Sequence, residues 1–220
     1  MARILAATTK SYRIIKWTFG FIGLLLAFFT VLAAITFSIY YHSEIHPYKN
    51  VVKNIIANAK TENHHLSDQM QTMIDANFYC IENPQSQRIF NFDPNCDISK
   101  EYQVAKLIQD HHLTTYKSRT KVVRGIDEAL LIYFIVRPLS QKEQNTLISE
   151  LTFFTVKANN FTQFSKLYFH KPLSQLTLDE TATLVALTKA PSHYLQDNER
   201  LKQRQQILLN RYDLIKAKHQ

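Results

Sequence analysis

The strongest hydrophobic pattern in the chain is an uncharged apolar run close to the N-terminus. No charged residue occurs between Trp17 and Tyr41, and most of these 25 residues are Leu, Ile, Phe, Ala or Val. A helix of that length extends about 37 Å, which exceeds the roughly 30 Å of a bilayer hydrocarbon core. The pattern therefore predicts a transmembrane helix over residues 17–41.

The charges beside this run predict its orientation. Four basic residues and no acid precede it, and the first acid in the chain is Glu44. Since Lys and Arg are retained on the cytoplasmic side, we expect residues 1–16 in the cytoplasm. The residues after the transmembrane helix are then expected on the opposite side of the membrane. The four basic residues are Arg3, Lys10, Arg13 and Lys16. A cleaved signal peptide is the alternative, but its apolar core is shorter, and Tyr40-Tyr41-His42 is a poor cleavage context.

Beyond the apolar run, hydrophobic residues recur with the period of helices. Ser67 is placed to cap a helix that ends near Tyr79, and Ser99 is placed to cap a second. A third helix is predicted over residues 121–136, because Pro138 cannot continue it. The inward stripe of this third helix is expected to consist of Val122, Val123, Ile126, Leu130 and Tyr133.

Two capping boxes mark helix starts farther along the chain. Ser140 precedes Glu143 by three residues, and Thr177 precedes Glu180 in the same way, so each pair can satisfy two amides of a helix end. A last, polar helix is predicted from about Asp197. Because no strand-like alternation is sustained, the predicted class is all-α, with the transmembrane helix preceding a helical domain.

Composition and charge narrow the classes of function. The chain has 220 residues, of which 45% are hydrophobic, and this content excludes a disordered protein. Only three glycines are present, and neither of the glycine-rich nucleotide-binding motifs occurs. The net charge is +8, but only +4 remains beyond residue 41 (22 basic minus 18 acidic side chains), with both signs interleaved. We therefore expect no nucleic-acid partner.

Two histidine doublets and two cysteines are the candidate residues for metal and redox chemistry. The doublets are His64-His65 and His111-His112, and adjacent residues of a helix point about 100° apart. We therefore expect no metal site, and no cofactor is expected. Cys80 and Cys96 bracket an irregular segment with two prolines. An oxidising compartment would favour a disulfide between them, and two free buried thiols are the alternative.

The C-terminal half carries a pattern that resembles a known family. Residues 176–194 read LTLDETATLVALTKAPSHY, and residues 198–212 read NERLKQRQQILLNRY. Both are similar to the end of the transglycosylase domain of peptidoglycan glycosyltransferase family 51, which occurs in bifunctional penicillin-binding proteins and monofunctional transglycosylases. Residues 124–131, RGIDEALL, resemble the RKxKEALL segment of that family, and residues 168–171, YFHK, resemble its YFGK.

This resemblance implies a fold, a location and a chemistry. The implied fold is a lysozyme-like helical domain, expected here over residues 66–220 after a membrane-proximal segment over residues 42–65. The implied location is the bacterial inner membrane, with the domain in the periplasm. The implied chemistry is the polymerisation of lipid II, in which a Glu takes the proton of an acceptor sugar hydroxyl and cationic groups stabilise the leaving pyrophosphate.

Several residues that this chemistry needs are replaced. Ile74 stands at the position of the family's catalytic Glu, and an aliphatic side chain accepts no proton. The candidate substitute carboxylates are Asp75, Glu82 and Glu101. The glycine positions of a second family loop are occupied by Thr155, Lys157 and Asn160. Glycine serves where the backbone needs positive φ or where a ligand approaches closely, so these replacements predict an altered loop.

The site for the donor substrate is partly retained. The residues that match it are Gln103, Lys106, Arg124 and Glu128. Arg124 and Glu128 are also four residues apart on a helix, so an ordinary ion pair is the alternative explanation. Gly125 replaces a phosphate-contacting cation of the family. We therefore interpret the four residues as a vestigial donor site.

Together these features predict a degenerate, non-catalytic member of the family. The predicted role is that of a scaffold or regulator of a peptidoglycan-assembly complex. The expected partner is a membrane protein, with a peptidoglycan synthase as one candidate, and lipid II or an undecaprenyl-pyrophosphate lipid is a candidate ligand. Two alternatives stay open. In the first alternative, the chain is a weak or specialised glycosyltransferase with a substitute carboxylate. In the second, it belongs to a secretion or defence apparatus that reuses the fold.

Overall fold

The structure is a computed structural model that describes residues 2–61, 64–79, 99–111 and 120–218, with side chains from residue 21 onward. It divides into two compact units, Met1–Pro47 and Tyr48–Gln220. The segment between Cys80 and Cys96, with Glu82, lies outside the described residues, and so does the predicted disulfide.

The first unit is a single long helix. Helix α1 (Ala2–Tyr40) continues into a wider π-helical turn at Tyr41–Ile45. From Phe21 its side chains are exposed, and the helix is long and apolar enough to cross a membrane. The hydroxyls of Thr30 and Thr36 donate to carbonyls one turn earlier, which satisfies polar groups that lipid would leave without partners.

The second unit is built from short helices, and the part of it that the structure describes contains no strand beyond the isolated bridge Thr155–Ala158. The helices are α2 (His46–Thr61), α3 (Asp68–Asn77), α4 (Lys100–His111), α5 (Lys121–Leu131), α6 (Gln141–Leu151), α7 (Phe161–Phe164), α8 (Leu178–Leu187), α9 (Pro191–Tyr194) and α10 (Asn198–Lys218). Helices α5 and α7 each continue into a π-helical turn, Ile132–Val136 and Ser165–Phe169. The all-α prediction is confirmed.

The core lies where α3, α8 and α10 pack against one another. Helix α6 contacts both α3 and α4. Fully buried side chains of these helices include Met73, Ile74, Leu184 and Leu208. Each such side chain stabilises the fold by about 1.5–3 kcal/mol relative to leaving it in water. The core therefore depends on aliphatic packing and holds α3 in place from two sides.

The predicted helix starts are confirmed. The hydroxyl of Ser67 accepts a hydrogen bond from the amide of Met70, and Ser99 accepts one from Tyr102 at 3.3 Å. Both capping boxes form, at Ser140 and at Thr177. Each satisfies two amide donors that a helix end would otherwise leave unbonded, and this explains why α6 and α8 begin where they do.

The prediction for the inward face of the third helix is wrong. Helix α5 exposes 73% of Val122 and 50% of Ile126, and the π-helical turn that follows it exposes 59% of Tyr133. Its buried residues are Asp127 and Leu131, on the opposite face. Val123 and Leu130 are half-buried at the edges. Periodicity identifies an apolar stripe, but which side of a helix is covered depends on how neighbouring helices pack.

The aromatic cluster of residues 153–169 is partly core. Phe154, Phe161 and Phe164 are buried, and the ring centroids of Phe154 and Phe164 are 4.4 Å apart. Phe153 and Tyr168 are exposed. Three of these rings therefore pack in the core and fix the turn between α6 and α7.

Candidate functional site

Helix α3 places Ile74 and Asp75 in two different environments. The side chain of Ile74 is 1% exposed and lies in the core. Asp75 lines a cleft of about 260 Å³. The cleft is lined by Asp75, Phe78, Tyr79, Lys100, Glu101, Gln141, Ile215 and Lys218. Helix α3 therefore places the aliphatic side chain of the predicted catalytic position in the core and its carboxylate neighbour at the cleft.

The carboxylate of Asp75 is engaged by Lys100, the first residue of α4. The two form an ion pair in which the Lys100 side chain is only 10% exposed. The same ammonium donates to Gln141 Oε1 at 2.6 Å and to Asn145 Oδ1 at 3.1 Å. Three acceptors therefore satisfy the three protons of this lysine, as a buried cation requires.

Asn145 extends this network to a second residue of α3. Its side chain is buried, and its Nδ2 donates to Gln71 Oε1 at 2.7 Å and to Asp75 Oδ1 at 3.1 Å. Oδ1 of Asp75 therefore accepts from both Lys100 and Asn145. These two contacts hold the carboxylate of Asp75 against α4 and α6.

Glu101 is the second carboxylate of the cleft. It follows Lys100 on α4, is half-buried, and shares the cleft with Asp75. The structure therefore brings together two of the three candidate substitute carboxylates. The third, Glu82, lies outside the described residues.

The residues of the predicted donor site lie on α4 and α5. Glu128 is half-buried, and Lys106 and Arg124 lie near enough to lower the pKa of its carboxyl. Desolvation by burial is nevertheless the largest effect, and it raises the pKa of Glu128 overall. Gln103 precedes Lys106 by one helical turn and is half-buried. The structure thus places two cations around one desolvated acid.

Two further residues, which the sequence alone did not single out, belong to the cluster around Glu128. The hydroxyl of Tyr102 hydrogen-bonds Glu128, and burial together with that carboxylate raises the pKa of Tyr102. Burial likewise raises the pKa of Asp110, against the attraction of Lys106 and Arg124. Tyr102, Lys106 and Asp110 are four residues apart, so helical spacing alone could have grouped them.

The loop that contains Thr155, Lys157 and Asn160, which the resemblance aligns with a glycine-rich segment, has an ordinary backbone. Among the described residues, His170 is the one non-glycine with positive φ, at 56°. Thr155, Lys157 and Asn160 therefore adopt conformations that any residue tolerates. Asn160 also caps α7, because its side chain accepts a hydrogen bond from the amide of Gln163. Side-chain capping by Asn160 therefore fixes the start of α7 after this loop.

The first histidine doublet has a structural partner. Nδ1 of His64 lies 3.0 Å from Glu150 Oε1, and both side chains are mostly buried. A second cleft, of about 340 Å³, lies beside this pair, and its titratable residues are Lys60, His64, His65, Lys142 and Glu143. Hydrogen bonds from Ser140 lower the pKa of Glu143. Within the described ranges no three His, Cys, Asp or Glu side chains are grouped to hold a metal ion.

Comparison with known proteins identifies the family of the helical domain. The pattern of the Transglycosylase family matches residues 101–213, about half of the chain. Penicillin-binding protein 1A of Neisseria cinerea is 37% identical over 110 residues, which are 49% of this chain and 13% of that protein. The same protein of Neisseria gonorrhoeae is 36% identical over 110 residues, with the same coverage.

A protein from another genus shares the same region. A predicted transglycosylase of Cupriavidus necator is 37% identical over 99 residues, which are 44% of this chain and 43% of that protein. The matched segment thus spans about an eighth of the Neisseria proteins and less than half of the Cupriavidus protein. The family match covers α4 to α10, including the donor-side residues and Glu101, and begins after Ile74 and Asp75. The chain belongs to the transglycosylase family and is related to the peptidoglycan glycosyltransferases.

Proposed function

We propose that this protein is a membrane-anchored, non-catalytic member of the transglycosylase family that acts as a scaffold or regulator of a peptidoglycan-assembly complex. We place it in the bacterial inner membrane, with residues 1–16 in the cytoplasm and the helical domain in the periplasm. The observation that carries the proposal is the burial in the core of Ile74, which the family resemblance places at the position of the catalytic Glu.

The first argument is the absence of a suitable base at that position. Ile74 has no lone pair to accept a proton, and rotation cannot bring it to the cleft without emptying a packed core site. Asp75 is the carboxylate next to Ile74 in the sequence, but its Oδ1 already accepts from Lys100 and Asn145. A general base has to reach the substrate hydroxyl, whereas these two contacts hold Oδ1 of Asp75 against α4 and α6.

The second argument is that the fold-forming features are kept. The core of α3, α8 and α10 and both capping boxes are intact. On the donor side, Lys106 and Arg124 stay beside Glu128. A chain under selection for shape alone would keep the packing and lose the base, and this is the combination observed here. A peptidoglycan synthase is the partner that we consider first, because the relatives named above include penicillin-binding proteins.

The central test is a polymerisation assay with the full-length protein. Purified protein in detergent is incubated with labelled lipid II, and glycan chains are separated by gel electrophoresis. We expect no chains, and the same result for Asp75→Asn, while a known peptidoglycan glycosyltransferase serves as the positive control. Chains made by the wild-type protein would refute the non-catalytic assignment.

A second experiment tests the scaffold role. The tagged full-length protein is crosslinked in native membranes and purified, and its partners are identified by mass spectrometry. We expect enzymes of peptidoglycan assembly to be enriched over a control that carries only residues 1–47 with the same tag. Recovery of a secretion or defence apparatus without such enzymes would contradict the proposed partner class.

The cleft supports one alternative function. Asp75 and Glu101 line it together, and a pair of carboxylates at a groove is the arrangement that glycosyl chemistry uses. A weak glycosyltransferase would show chain formation in the assay above. That activity would fall by roughly 100-fold or more in Asp75→Asn or Glu101→Gln if either carboxylate were the base.

A further inference from the structure

The helical domain has a second cleft, which lies between the end of α2 and the start of α6. Its volume is about 340 Å³, and clefts that bind ligands have volumes of roughly 300–1,000 Å³. Within the described part of the chain, it shares no lining residue with the cleft of Asp75, and none of the predicted catalytic or donor residues lines it. We call it the α2–α6 cleft.

Hydrogen bonds and an ion pair of the fold hold the walls of the α2–α6 cleft in place. Nδ1 of His64 lies 3.0 Å from Glu150 Oε1, and the amide of His64 donates to the carbonyl of Ala59 at 3.0 Å. On the side of α6, the amide and the hydroxyl of Ser140 donate to Glu143 Oε2 at 2.9 and 2.8 Å. The cleft is therefore preformed, and a ligand does not have to order its walls on binding.

Part of the lining of the α2–α6 cleft is apolar. Ile56 and Ala59 are buried residues of α2, and Leu66 is half-buried in the segment before α3. The hydroxyl of Thr146, which also lines the cleft, is used within α6, because it donates to the carbonyl of Lys142 at 2.8 Å. An aliphatic group of a ligand would therefore be transferred from water to an apolar surface here, which favours binding.

The charge that the α2–α6 cleft offers to a ligand is positive. Lys60, in the last turn of α2, and Lys142, in the first turn of α6, line the cleft and are exposed. Among the residues that the structure describes, neither ammonium group forms an ion pair or a hydrogen bond. The lining carboxylate, Glu143, is engaged as the cap of α6. Hydrogen bonds from Ser140, with a smaller effect of Lys60, lower its pKa.

We propose that the α2–α6 cleft binds a short acidic segment of a partner protein. An aliphatic side chain of that segment lies against Ile56, Ala59 and Leu66, and a neighbouring carboxylate lies at Lys60 and Lys142. A peptide is the ligand that matches both halves of the lining. A phosphate polymer would pair with the two cations but leave the apolar part uncovered. This inference rests on the proposed scaffold function and states the chemistry by which the partner is recognised.

Pools of synthetic peptides test the proposal with the purified full-length protein in detergent. Each pool of short, fluorescently labelled peptides has a fixed central pair, either Leu-Glu, Leu-Gln, Ser-Glu or Leu-Lys, and mixed neutral residues elsewhere. We expect fluorescence anisotropy to show binding of the Leu-Glu pool roughly fivefold or more tighter than binding of the other three. Absence of binding, or equal binding of all pools, overturns the proposal.

Charge reversal locates the binding. Lys60→Glu combined with Lys142→Glu is compared with Lys53→Glu combined with Lys202→Glu, which changes the net charge equally at exposed residues outside the cleft. We expect the cleft variant to bind the Leu-Glu pool roughly tenfold or more weakly, and the control variant to change by less than about twofold. Equal losses in the two variants indicate nonspecific attraction between charges and overturn the proposal.

A milder variant keeps the test valid if charge reversal disturbs the fold. Circular dichroism checks each protein, and Lys60→Gln combined with Lys142→Gln removes the two charges without introducing acids. We expect this variant to bind the Leu-Glu pool roughly threefold more weakly than the wild-type protein. Unchanged affinity in a folded glutamine variant contradicts a contact through these two cations.

Competition with inorganic polyphosphate separates a peptide site from a phosphate site. Polyphosphate that binds the cleft while the peptide pools are not distinguished shows a phosphate site and overturns the proposal. The crosslinking experiment above tests the proposed function separately. Enrichment of peptidoglycan-assembly enzymes without a Leu-Glu preference overturns the role of the cleft and leaves the scaffold function intact. A Leu-Glu preference without that enrichment supports the cleft and contradicts the proposed partner class.

Discussion

At the scale of single residues, the side chains at the predicted catalytic and donor positions are engaged in packing, ion pairs and hydrogen bonds within the fold. Ile74 belongs to the core, and the carboxylate beside it is held by Lys100 and Asn145. The desolvated Glu128 keeps two cations nearby, although burial raises the pKa of its carboxyl. Each of these side chains is accommodated by its surroundings, which is what the proposed loss of catalysis predicts.

His170 is a single residue whose replacement should stabilise the protein. It occupies the glycine position of the family's YFGK segment and has φ of 56°, in the left-handed region that disfavours residues with a Cβ. We expect His170→Gly to raise the free energy of unfolding by about 0.5–1 kcal/mol, since relief of strain exceeds the entropy that glycine adds to the unfolded chain.

Urea denaturation of the purified protein measures this change. His170→Ala is the matched control, because it removes the imidazole but keeps the Cβ and should bring no such gain. A stabilised alanine variant would show that the imidazole, and not the backbone conformation, is unfavourable.

At the scale of helices, local capping determines where each helix begins, whereas packing determines which side is buried. Helices α6 and α8 start at capping boxes that can be recognised in the sequence. Helix α5 also starts at a capped residue, Thr120, but its apolar side is exposed. The start of a helix depends on four neighbouring residues. The buried side of α5 depends on α4 and on the π-helical turn that follows α5.

The capping box of α8 offers a test at this scale. We expect Thr177→Ala to lower the free energy of unfolding by about 1 kcal/mol, because the amide of Glu180 loses its acceptor at the helix end. Thermal unfolding followed by circular dichroism measures the loss. Thr183→Ala, in the middle of the same helix, removes no cap and should cost nothing, since alanine is the better helix former. Equal losses in the two variants would argue against capping.

At the scale of the whole molecule, the protein combines a helix that could span a membrane with a domain of the transglycosylase family. The proposed function assigns the domain to the periplasm and makes the anchor its attachment to the membrane. Under this proposal the anchor keeps the domain at the membrane that holds its partner. The chain would then influence peptidoglycan assembly by position instead of by turnover.

The orientation of the anchor can be tested by fusions to the C-terminus. Because four basic residues precede the apolar run and no acid does, we expect alkaline phosphatase fused after Gln220 to be active in cells. Replacing the four with glutamine and inserting lysines after Ser43 should lower this activity several-fold. A green fluorescent protein fusion is the matched reporter, and bright fluorescence in the wild-type chain would contradict the proposed orientation.

The amino-acid sequence by itself determined the membrane-length helix, the helix starts at Ser67, Ser140 and Thr177, the all-α class and the family resemblance, because each depends on local composition or on side chains a few residues apart. Only the tertiary structure decided that α5 turns its apolar side outward and that Lys100 is paired with Asp75. These features join residues 25 or more positions apart or depend on which helix covers another. No local pattern encodes such contacts, because they follow from the packing of the whole domain.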